Sequence, residues 1–119
     1  MYGLNKDTDL SFLKGQEVIQ IAIGVFQVQF HFDRDAIISV EGEFQYLSEN
    51  NSSHWRQGTP EAAAPALRLL GSSIQNVDGK EDGTLDLTFS NGDHLVVRDN
   101  SKEYESYTIS GGPSGSIVV

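Results

Sequence analysis

From Phe26 to Phe32 the chain alternates strictly, with Phe26, Val28, Phe30 and Phe32 on one face and Gln27, Gln29 and His31 on the other. A period of two is that of a half-buried strand. The next apolar segment, Ala36 to Val40, places Ile38 and Val40 on one face. Pairing these with Phe30 and Val28 requires a loop with an odd number of residues, because a one-residue slip turns every side chain to the other face. The same parity holds farther on, where Leu85, Leu87 and Phe89 must meet Leu95 and Val97. Three-residue loops follow: Ser90-Asn91-Gly92 with Gly92 left-handed, and Asp33-Arg34-Asp35 as its counterpart. Ile37 and Val96 are then turned away from the Phe30 and Leu87 faces.

These two hairpins belong to a longer repetition. Leu13, Gly15, Val18 and Ile21 return as Leu70, Gly71, Ile74 and Val77, and Val28-Gln29-Phe30-His31-Phe32 returns as Leu85-Asp86-Leu87-Thr88-Phe89. Further short strands are expected near Glu17–Ile23, Phe44–Leu47, Ser73–Asp78, Tyr104–Ser110 and Ser116–Val119, with Asn50 to Gly58 as a polar loop. Thr59-Pro60-Glu61 supplies an N-cap, a first-position proline and a first-turn acid, and Gly71 a stop, so one helix is expected over about 59–70. Its Ala63, Ala66, Leu67 and Leu70 form a stripe that would lie on the sheet, and Pro65 should kink or shorten it. The expected architecture is α+β, mainly β: one domain, 1–119, an antiparallel meander of two similar halves (about 13–47 and 70–110) with the helix packed on the sheet. A chain of 119 residues supports one core rather than two.

Seventeen acidic against eight basic side chains give a net charge of -9, a field that repels a phosphate backbone and argues against nucleic acid as a partner. Without cysteine there is no disulfide, thiolate nucleophile or thiolate metal site. The first residues lack a signal-peptide pattern and no apolar stretch approaches the ~20 residues that span a bilayer, so a cytoplasmic protein with no membrane association is expected.

Candidate chemistry is sparse. Asp78-Gly79-Lys80-Glu81-Asp82-Gly83 departs from a calcium loop at Lys80 and at Phe89, and reads as an acidic hairpin loop. His31, His54 and His94 have no metal-ligand spacing, and Gly111-Gly112-Pro113-Ser114-Gly115 reads as a turn. No catalytic, cofactor-binding or metal-binding residue is assigned. The candidate interaction surface comprises Ile37 and Val96, which face away from the core, Trp55, an aromatic of the kind enriched in interfaces, and His31 and His94 near the hairpin rims.

The string Asp9-Leu10-Ser11-Phe12-Leu13-Lys14-Gly15, with Gln27-Val28-Gln29-Phe30-His31-Phe32-Asp33, Ile38-Ser39-Val40-Glu41 and Tyr104-Glu105-Ser106-Tyr107, resembles a family of small bacterial proteins that carry only a domain-of-unknown-function label. The resemblance implies a bacterial cytosolic domain and no catalytic residue. A two-copy strand meander in a small acidic protein is also similar to immunity proteins. The function expected is therefore a non-enzymatic binding protein, such as an immunity-type inhibitor of a basic protein partner. The alternatives are a small-molecule binder or enzyme whose cleft joins His31 and His94 to Asp35 or Asp93, and a purely homodimeric module.

Overall fold

The protein is described by a computed structural model covering residues 2–119. A short 3-10 helix η1 (Ser11–Leu13) precedes β1 (Val18–Ile23), β2 (Val28–Phe32), β3 (Ile37–Val40), β4 (Glu43–Leu47) and β5 (Ser52–Arg56); η2 (Pro60–Leu69) then leads into β6 (Ile74–Gly79), β7 (Leu85–Phe89), β8 (His94–Arg98), β9 (Tyr107–Ser110) and β10 (Ile117–Val118). All pairings are antiparallel. One sheet runs β1-β2-β3-β9-β10 and the other β5-β4-β8-β7-β6. The meander thus advances three strands at a time, and each half passes its last two strands to the sheet begun by the other. Exchanging β1–β5 for β6–β10 maps one sheet onto the other.

The backbone hydrogen bonds at the centre of this exchange occur in matched pairs. Glu17 bridges Ser73; Gly15 N–H donates to the Ile74 carbonyl at 2.8 Å as Gly71 N–H donates to Val18 at 2.9 Å, and Val18 N–H donates to Ser72 at 3.0 Å as Ile74 N–H donates to Gln16 at 2.9 Å. β1 and β6 also carry a bulge at the same place, after Val18 and after Ile74. The spacing that relates Gly15 to Gly71 makes Leu69, not Leu70, the counterpart of Leu13, and both are fully buried.

The register follows the parity argument. Phe30 pairs with Ile38 and Val28 with Val40, Leu87 with Leu95 and Leu85 with Val97, and the αL positions of the loops are Asp35 (φ 75°) and Gly92 (φ 89°). Between the sheets, Phe30 meets Phe44 edge-on at 5.5 Å and Phe44 stacks on Trp55 at 5.4 Å.

Two expectations need correction. The stretch Asn50–Gly58, expected as a polar loop, contains β5, an edge strand whose Trp55 points into the core. The helix is 3-10 throughout: Pro65 has no N–H to donate and its ring opposes an α-helical turn, and winding to three residues per turn accommodates it. Spacing of three buries Ala63, Ala66 and Leu69, whereas a period of 3.6 selects Leu67 and Leu70, which are 41% and 45% exposed.

Two buried phenols give the fold a pH signature. Tyr107 donates to the Gly83 carbonyl at 2.6 Å, and burial, with the charge of Asp82 second, pushes its pKa above the ordinary 10.0. Burial, then the hydrogen bond to Asp93, raises Tyr46 as well. Because the unfolded phenols ionise first, their contribution is complete below pH 10 and is lost as pH climbs above it, most steeply for the strongly raised Tyr107, at about 1.4 kcal/mol per pH unit. Urea titrations across alkaline pH should show this decline, and Tyr107→Phe should make it shallower, leaving the part due to Tyr46.

Candidate functional site

Sequence-expected site residues do not converge. Trp55, expected at a surface, is fully buried, and its indole N–H finds no acceptor among the described residues. Val96 is turned away from the core as the register requires, yet only 7% exposed; it sits between Asp86 and Gln45 of the neighbouring strands. Ile37 is half-buried opposite His31. His31 bonds Gln29 at 3.0 Å on the outer face of the first sheet, and His94 faces Asp86 at 3.5 Å on the outer face of the second. The two histidines therefore lie on opposite outsides of the sandwich, and Asp93 is occupied by Tyr46 and Asn91. The histidine and carboxylate cleft is not assembled.

Two other features emerge from the exchange of strands. The first is a cleft of about 480 Å³ where the two crossover connections pass, lined by Gly42, Glu43, Arg56, Gln57, Asn100, Ser101 and Tyr104. The connection from β3 to β4 is only Glu41–Gly42, whereas that from β8 to β9 runs from Asp99 to Ser106, and its extra length forms a wall. Glu43 is 9% exposed at the floor. A carboxylate so covered needs partners, and it has three: His54, Asn100, and Arg56, whose Nε lies 3.7 Å away. Strand register explains this convergence, since β4 and β5 pair Glu43 with Arg56 and Gln45 with His54.

The second feature is a groove on one flank, together with the different character of the repeat-related position on the other flank. On one side the amino-terminal segment lies against β6, and Thr8, Leu10, Ser11, Lys14 and residues Asn76 to Gly79 line a groove of about 390 Å³. Under the spacing that relates Gly15 to Gly71, the same position on the other side is Ala64, Ala66, Leu67, Leu70 and Gln20 to Ile23. There η2 lies beside β1, with Gly58 N–H bound to the Val25 carbonyl near one end and Gly71 N–H to Val18 at the other. This flank exposes Leu67, Leu70, Ile19 (56%), Val25 (55%) and Phe26 (70%). From Val18 to Phe32 there is no Asp, Glu, Lys or Arg.

The family model that covers this architecture matches residues 10–119 and describes a family of unknown function, DUF6188. The chain belongs to DUF6188. No curated protein and no solved structure matches it. Among the described residues of this DUF6188 member, no helix is long and apolar enough to cross a membrane, and no group of three or more His, Cys, Asp or Glu is placed to hold a metal ion.

Proposed function

We infer that the protein is a non-enzymatic binding module that docks a basic protein partner on the apolar flank formed by β1, the β1–β2 hairpin and η2. The contrast between the two flanks carries this reading. The two positions are related by the repeat, and one carries Thr8, Leu10, Ser11, Lys14, Asn76 and Asp78 where the other carries Ala64, Ala66, Leu67, Leu70, Gln20 and Ala22. Leu67, Leu70, Ile19, Val25 and Phe26 are left exposed on this flank, and large apolar side chains gathered at a surface are what a contact site uses. An edge strand is normally protected by charge. β6 and its hairpin carry Asp78, Lys80, Glu81 and Asp82, whereas β1 and its hairpin carry none. The net charge of -9 selects a partner with basic residues around an apolar contact, because complementary fields speed encounter and reject like-charged partners. An immunity-type inhibitor of a basic toxin would have this surface.

Affinity capture from the source organism, with the wild type beside Leu67→Lys/Leu70→Lys, tests the assignment. The expected result is a basic protein retained by the wild type, lost by the double variant, and kept by Lys14→Ala on the polar groove. Both substituted leucines are exposed, so stability should change by about 0.5 kcal/mol or less each. Capture that survives the double substitution would overturn the proposal. So would a sedimentation mass twice the 13.0 kDa chain that returns to the monomer in the double variant, since it would put a second copy on this face.

A further inference from the structure

We propose that the cleft over Glu43 is a second, independent binding site for a neutral polyhydroxylated ligand, a saccharide unit stacked on Tyr104. The position of Glu43 just before the inward-facing Phe44 is held in the other half by Ser106, just before Tyr107, and Ser106 is completely buried. The fold therefore accepts a small hydroxyl side chain there and does not call for a carboxylate. The wall that closes the cleft is likewise particular to one half. It is pinned by Asn100 on Glu43, by Ser106 Oγ donating to Asp99 at 2.7 Å, and by Tyr104 N–H donating to Ser101 Oγ at 3.3 Å.

The chemistry of the lining selects the ligand. Arg56 and Gln57 are planar groups that present paired donors or acceptors, the geometry that meets two adjacent hydroxyls at once, while Glu43, its oxygens taken by Asn100, His54 and Arg56, holds the lining in place. Asn100 spends its amide nitrogen on Glu43 and keeps its oxygen, while the terminal guanidinium nitrogens of Arg56 make no hydrogen bond among the described residues. Tyr104, 38% exposed, adds an aromatic face for the C–H side of a sugar ring, with a hydroxyl at its rim. Charge excludes the alternatives. The Glu43 carboxylate is offset by Arg56 and bonded by His54, so the cleft offers neither an uncompensated cation for a phosphate nor a free carboxylate for an ammonium group.

The test is residue-resolved NMR of the intact chain titrated separately with D-glucose, D-galactose, N-acetyl-D-glucosamine, sodium sulfate and choline chloride. At least one sugar should shift signals confined to Glu43, Arg56, Gln57, Asn100 and Tyr104, with affinity on the order of millimolar. Tyr104→Ala, on the exposed crossover, should weaken it about tenfold while the rest of the spectrum stays unchanged. Leu67→Lys/Leu70→Lys should leave it intact, which separates this site from the protein-binding flank. Shifts at the cleft with sulfate or choline but no sugar, or no response to any sugar, would overturn the proposal.

Discussion

Phe30→Ala should lower the unfolding free energy by about 3–5 kcal/mol, a large share of what a domain of this size possesses. The ring is fully buried and joins the sheets by its edge-on contact with Phe44, 5.5 Å between centroids. Its removal leaves a cavity that neither sheet can close without losing register with the strands beside it. Gln29→Ala, one position away on the outer face, breaks only the hydrogen bond to His31 and should cost about 0.5 kcal/mol or less. Urea denaturation of both variants measures the difference. Equal losses would mean that the outer face of β2 is as tightly packed as the inner one.

Gly111→Ala should be the second large effect, at about 2–4 kcal/mol. Gly111 has φ +87°, and a Cβ there would strike the backbone carbonyl of Asp35 and the Cα of Ala36. The obstacle is main chain, held by the β3–β9 pairing of Ile37 with Ser110, so it cannot rotate aside. Gly115 provides the comparison: its φ is +88°, but nothing lies within 4 Å of an added Cβ, so Gly115→Ala should cost only the conformational strain of about 1–2 kcal/mol. The same denaturation experiment separates collision from strain, and similar losses at the two glycines would show that the contact with Asp35 contributes nothing.

The hairpins were legible because parity is unforgiving: with Phe30 and Phe89 committed to the core, only odd loops satisfy Ile38 and Leu95, and Asp35 and Gly92 fall at the left-handed positions. β5 was not, since an edge strand reading Ser52-Ser53-His54-Trp55-Arg56 buries little besides Trp55 and shows no apolar alternation. Leu69 falls outside the stripe that an α-helical period selects, because Pro65 favours a tighter coil. The cleft had no local signature at all. Glu43, His54, Arg56 and Asn100 meet through the β4–β5 register and through a crossover far along the chain, and the composition of neither segment announces it. The contrast between the flanks is present in the repeat, but reading it requires knowing that η1 lies against β6 and η2 against β1.

Because β9 and β10 complete the sheet begun by β1–β3, the amino-terminal half leaves the ribosome with an unfinished sheet and two strands, β4 and β5, that have nothing yet to join. One sheet cannot close before β8 has been synthesised, nor the other before β9 and β10. Contacts between segments so distant in sequence bring a large loop-closure entropy before any reward, which sets folding toward the millisecond-to-second range of non-local β proteins. During that interval the uncharged segment Val18–Phe32 is the portion most open to mispairing, because unpaired apolar strand edges are where folding intermediates associate wrongly.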